Sequence, residues 1–147
     1  MSVFKKFLSI FISVSVVCVM LSACGYDYAE LDLKGEYTKE LAGTTLNVYN
    51  WGEYISDGSD GSIDVNREFE KVTGIKVNYS TFESNETMYS QLKNGGVSYD
   101  IIIPSDYMIE RLKNENMLTK FNTSELSNYK YISDEYKNLF YDENNEY

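Results

Sequence analysis

Short runs with strand character alternate with stretches of helical period between Thr44 and Leu118, and that alternation excludes most folds. TLNVYN (45–50) sets Leu46, Val48 and Asn50 against Asn47 and Tyr49, which predicts a strand. IKVNYSTF (75–82) places Ile75, Val77, Tyr79 and Thr81 on one face and predicts a second. YDIIIP (99–104) is a short continuous apolar run, the pattern of a strand buried on both faces by flanking helices. IDVNREFEKVTG (63–74) carries Val65, Phe69 and Val72 at helical spacing, with Gly74 placed to end the helix. In ESNETMYSQLKNGG (83–96), Ser84 or Asn85 can cap a helix whose Glu86 complements the N-terminal dipole. Met88 and Leu92 share a face there, and Gly95-Gly96 close it. SDYMIERLKNENML (105–118) predicts a third helix, with Ser105 as N-cap and Met108, Ile109 and Leu112 turned inward.

Strands and helices in this order require right-handed crossovers and a mainly parallel sheet, so the expected class is α/β. ISDGSDGS (55–62) reads as a turn-rich loop. Beyond Leu118 the pattern weakens to two short helical turns, near Ser124 and Ser133. Three strands make a small sheet, so residues 44–147 are expected to form an incomplete lobe, the front part of something larger.

The N-terminus bears on compartment. Lys5 and Lys6 precede an uncharged apolar run from Phe7 to Leu21. That run falls short of the ~20 residues a membrane-spanning helix needs and suits a signal peptide. It ends in LSAC, Leu21 to Cys24, which resembles a bacterial lipobox. That reading makes 1–23 a signal peptide, Cys24 a lipidated N-terminus and 24–43 a polar spacer. The plainer alternative is an ordinary secretory signal with an incidental cysteine. Cys18 lies in the segment to be removed, so the two cysteines provide no disulfide framework in the mature chain.

A net charge of −10 and a pI near 4.4 argue against nucleic-acid binding, which depends on neutralising phosphates. Histidine is absent, which removes the commonest general base and metal ligand. No serine-centred glycine elbow is present. No catalytic residue, metal or cofactor is expected, although a carboxylate pair such as Glu53 with Glu83 keeps an exported enzyme as a rival reading.

Ligands of open parallel sheets bind beyond the carboxyl ends of the strands, where loops and helix N-termini converge. Three such ends are expected: Trp51-Gly52-Glu53-Tyr54, Glu83-Ser84-Asn85-Glu86 and Ser105-Asp106-Tyr107. They carry aromatics, hydroxyls and carboxylates but no lysine or arginine, which suits a cation. A ring face attracts a cation by about 0.5–2 kcal/mol, and a charge-assisted hydrogen bond adds roughly 1.5–3 kcal/mol. Trp51, Glu53 and Tyr54 combine those chemistries, and Ser105 with Tyr107 offers a second wall. Each residue also has a plainer role. The tryptophan packs, Glu53 is a solvated charge, Ser105 caps a helix, and Glu83 to Glu86 starts one and is left off the ligand.

LNVYNWGEYI, TGIKVNYSTFESNETMYSQL, YDIIIPSDYMIERL and ENMLTKFNTSEL together resemble the spermidine/putrescine-binding proteins of polyamine ABC importers, over about residues 45 to 147. The resemblance implies a type II periplasmic-binding-protein fold, of which this chain would hold the first lobe only, incompletely. It also implies spermidine or putrescine as ligand, delivery to a permease and ATPase, and an extracytoplasmic protein held by its lipid. Trp51, Glu53, Tyr54, Ser105 and Tyr107 match the family's cleft residues, and Tyr107 resembles the spermidine-preferring members. Gly52 departs from the family, where a hydroxyl-bearing residue is common. The chain stops well before the family's second lobe, so residues 24–147 alone are expected to bind polyamine weakly or not at all. Two rivals keep the lipid anchor: a receptor for another small cation or solute, and a surface interaction lipoprotein without a small ligand.

Overall fold

The computed structural model describes residues 37–147. The signal segment, Cys24 and most of the 24–43 spacer lie outside the described residues. Two units are distinguished, one of residues 37–55 with 69–147 and one containing 56–68. The elements run β1 (Thr45–Trp51), α1 (Val65–Thr73), β2 (Lys76–Phe82), α2 (Asn85–Asn94), β3 (Ile101–Ile102) and α3 (Asp106–Asn114). This is the strand-helix order expected from the pattern.

The 56–68 unit is a turn segment with a repeated Asp-Gly-Ser. Asp57 Oδ1 accepts the Ser59 N–H at 2.9 Å and Asp60 Oδ1 accepts the Ser62 N–H at 3.0 Å. These hydrogen bonds hold both carboxyls below their ordinary pKa. Asp64 Oδ1 accepts the Arg67 N–H at 3.0 Å and so starts α1.

In the larger unit the sheet order is β2-β1-β3, all parallel. Trp51 lies opposite Phe82 at the carboxyl ends, and Val48 and Tyr49 pair with Ile101 and Ile102. The chain therefore passes from β1 to one side, then crosses back to the other, and β1 ends at the switch point. Gly74 ends α1 at φ +75, and a Cβ there would stand 2.9 Å from Ala42 Cβ, so both conformation and space require glycine. Ser84 caps α2, its Oγ accepting the Thr87 N–H, and Gly95 closes it in the left-handed region.

The core joins Tyr49 and Phe82 of the sheet to Met88 of α2 and to Met108 and Leu112 of α3. Full burial of the last three contributes about 1.5–3 kcal/mol each. Tyr49 stacks on Tyr99 at 4.4 Å and meets Phe82 edge-on at 5.0 Å. Three expectations are corrected. The alternation in TLNVYN implied one buried face, but Val48, Tyr49 and Asn50 are all buried because β1 is the central strand. YDIIIP was expected to be buried on both faces. Its strand is only two residues long, and Ile101 and Ile103 are 44% and 37% exposed, because β3 is an edge of this sheet. Those two residues line an open groove of about 580 Å³ with Met117, Phe121 and Tyr147. Val65, expected on the apolar stripe of α1, is exposed.

Beyond α3 the chain makes three 3-10 turns, at Thr123–Glu125, Tyr129–Tyr131 and Asp134–Tyr136. The first and last fall where short helical turns were expected. Buried Asp142 then gathers the final turn by accepting the N–H groups of Glu146 and Tyr147.

Candidate functional site

The carboxyl ends of the three strands carry the residues singled out from the sequence. Trp51 is the last residue of β1, and Asn50 Oδ1 accepts its N–H at 2.7 Å as the chain leaves the sheet. Its ring is half-buried, 4.5 Å from Phe82 and 6.3 Å from Tyr54 by centroid. The packing role is thus seen directly: Phe82 supports the indole, and the adjoining turn brings up a second ring. Tyr54 is 67% exposed and Glu53 is exposed beside it. Nothing would meet a Cβ at Gly52 within 4 Å.

Ser105 and Tyr107 form the second group, at the start of α3. Ser105 has the extended backbone of an N-cap, but its Oγ makes no capping bond, contrary to expectation. The reason is tertiary. Asn85, at the start of α2, donates from Nδ2 to Ser105 Oγ at 3.0 Å and to Tyr107 OH at 2.9 Å. Its Oδ1 accepts the Ser105 N–H at 3.1 Å. Tyr107 OH in turn donates to Glu86 Oε1 at 3.0 Å.

The second strand end starts α2 as expected, with Ser84 as its cap, and Asn85 and Glu86 in addition reach across to Ser105 and Tyr107. Of the two candidate caps, Ser84 does the capping, which leaves the Asn85 side chain for α3.

The rim is acidic. Among the described residues, no lysine or arginine pairs with Glu53, Glu83, Glu86 or Asp106. Two helix N-termini also converge here, and their partial positive charge disfavours a cation. Glu86 and Asp106, in the first turns of α2 and α3, counter it.

No protein-family model matches the chain. A spermidine/putrescine-binding periplasmic protein of Salmonella typhimurium is 42% identical over 104 residues, covering 70% of this chain and 28% of its own length. A spermidine/putrescine-binding periplasmic protein 1 of Haemophilus influenzae is 40% identical over 147 residues, covering 97% of this chain and 38% of its own. The solved structure of a spermidine/putrescine ABC transporter protein from Listeria monocytogenes superposes with a TM-score of 0.64 at 43% identity, over 71% of this chain and 30% of that one. By sequence and by fold, this chain is a relative of the spermidine/putrescine-binding proteins. PotD of Streptococcus pneumoniae, solved with calcium and HEPES, gives 0.64 at 39% identity over 71% of this chain and 30% of that one. The TpPotD lipoprotein of Treponema pallidum gives 0.61 at 28%, covering 70% of this chain and 31% of that one.

The sheet described above is thus part of a periplasmic-binding-protein fold, matching its first lobe in part. The chain spans 28% of the Salmonella relative and 38% of the Haemophilus one. These relatives are substrate-binding transport proteins rather than enzymes.

Proposed function

We propose that this chain supplies one wall of the ligand cleft in an extracytoplasmic polyamine receptor, which hands spermidine or putrescine to an ABC permease and its ATPase. The observation that carries this reading is the make-up of the rim. Two aromatic rings, Trp51 and Tyr54, flank Glu53 in the chain, and two hydroxyls, Ser105 and Tyr107, share Asn85, with Tyr107 bonded to Glu86. Among the described residues no lysine or arginine pairs with these carboxylates. A polyamine pairs ammonium groups with methylene segments. Trp51 and Tyr54 serve both, offering apolar faces to the methylenes and ring quadrupoles to the charge. Glu53 accepts from one ammonium, and the Ser105 and Tyr107 oxygens accept from another along the same rim. The relatives named for binding spermidine and putrescine support the same ligand class. The reading involves no metal, cofactor, catalytic step or nucleic acid.

The anchor is a diacylglycerol on Cys24 after removal of residues 1–23, in keeping with the Treponema relative named as a lipoprotein. Fatty-acid labelling in cells tests it: label retained in Cys24→Ser would overturn the anchor.

The ligand is tested by calorimetry on the protein expressed from its complete reading frame. Saturable spermidine or putrescine binding is expected. Absence of binding, or equal competition by uncharged solutes, sinks the proposal. Residues 24–147 alone are expected to bind weakly or not at all, since they offer a single wall.

A further inference from the structure

Asn85 opens α2, yet its side chain leaves that helix. Only 5% of its surface is exposed, and both of its polar atoms reach the start of α3, with Oδ1 on the Ser105 N–H and Nδ2 on the Ser105 and Tyr107 hydroxyls. The orientation of the amide is settled by its partners. A backbone N–H can only donate, so the atom facing it is the carbonyl oxygen. Both Nδ2 hydrogens then go to hydroxyl oxygens, and each hydroxyl must send its own hydrogen elsewhere. Tyr107 sends it to Glu86, across 3.0 Å.

We infer that Asn85 is the positioning residue of this rim and that Glu86 is its second ligand carboxylate. The inference rests on the polyamine reading. Asn85 holds Ser105 Oγ and Tyr107 OH as acceptors for an ammonium, and Tyr107 holds Glu86, whose carboxylate keeps further acceptor capacity. Aspartate at 85 would keep the oxygen for the Ser105 N–H but offer no donor. Both hydroxyls would turn their hydrogens toward it, and Tyr107 would release Glu86.

This sets positioning against simple charge. If only net charge mattered, Asn85→Asp would tighten binding of a cation. Positioning requires that it weaken binding, by about tenfold. Calorimetry with spermidine on the whole protein decides it, with thermal denaturation to confirm folding. Tyr107→Phe should also cost about tenfold, and the double variant no more than about twofold beyond either, because both changes remove one arrangement. Should Asn85→Asp not fold, Glu86→Gln at its exposed position carries the test, with the same tenfold loss expected. Unchanged or tighter binding by Asn85→Asp, fully additive losses, or unchanged binding by Glu86→Gln overturns the inference while leaving the polyamine reading in place. No spermidine binding by the unsubstituted protein overturns both.

Discussion

Helices α2 and α3 carry a tyrosine and a carboxylate in contact at each of their ends, and the two ends are completed differently. At the N-terminal end Tyr107 OH donates to Glu86 at 3.0 Å, and no lysine or arginine joins them among the described residues. Toward the C-terminal end Tyr89 OH donates to Glu115 at 2.8 and 2.9 Å. There Lys93 and Arg111 close on the same carboxylate at 2.6 and 3.1 Å, and the Arg111 guanidinium lies 3.7 Å over the Tyr89 ring. Glu115 is the C-cap of α3, where the helix's own partial negative charge opposes a carboxylate, so the two cations stabilise it. The far end is a finished cation site, filled by the protein's own side chains. Among the described residues the rim holds a tyrosine and a carboxylate with no lysine or arginine beside them, and on the polyamine reading proposed above an ammonium of the ligand takes that place.

The largest expected effect comes from Trp51, which belongs to both the rim and the core. Trp51→Ala should weaken spermidine binding about a hundredfold, losing ring attraction and apolar contact together. It should also cost about 2 kcal/mol of stability, below a fully buried aromatic deletion, because the ring is half-buried on Phe82. Urea denaturation beside calorimetry separates the two losses, and Trp51→Phe should recover most of the stability but only part of the affinity.

Charge removal tests the comparison directly. Glu53→Gln should weaken binding about tenfold, whereas Glu115→Gln should leave affinity within about twofold of the unsubstituted protein. Equal losses from both would mean that the two ends are not distinct in function.

Acid titration sharpens the contrast from the other side. Hydrogen bonds from Lys93, then Tyr89 and Arg111, hold the Glu115 carboxyl down from 4.5 to about 2. A carboxyl depressed on folding contributes stability above its unfolded pKa and loses it as pH falls through the folded value. The Glu115 network should therefore be fully stabilising above pH 4.5 and fade between there and about 2. Denaturation midpoints measured across that window should fall more steeply for the unsubstituted protein than for Glu115→Gln. The effect is modest, because these side chains face solvent.

Legibility in the sequence followed the range of the interaction. The strands around Val48 and Val77 and the helices around Met88 and Met108 were readable because periodicity and caps act within a few residues. Burial of β3 was misjudged because an apolar run such as Ile101 to Ile103 reads alike at the centre of a sheet and at its edge. Trp51, Glu53 and Tyr54 could be proposed as a rim because they are contiguous. Asn85 could not, since its partners lie 20 and 22 residues away and a cap is the local reading of an asparagine at a helix start.

The smallest expected effect is at Gly52, between the tryptophan and the rim carboxylate. Its φ is not in the left-handed region and a Cβ there meets nothing within 4 Å, so Gly52→Ser carries neither strain nor clash. The substitution also narrows the unfolded ensemble slightly, so stability should hold or rise by a few tenths of a kcal/mol. In the bound state the new hydroxyl stands beside Glu53 with a free lone pair for the same ammonium. One added neutral acceptor corresponds to a gain of about two- to tenfold in spermidine affinity. Gly52→Ala supplies the methylene without the oxygen and should bind as the glycine protein does. If the serine and alanine variants bind alike, no ammonium lies within reach of residue 52, and the cation must then sit further out, over Tyr54 or toward Glu86.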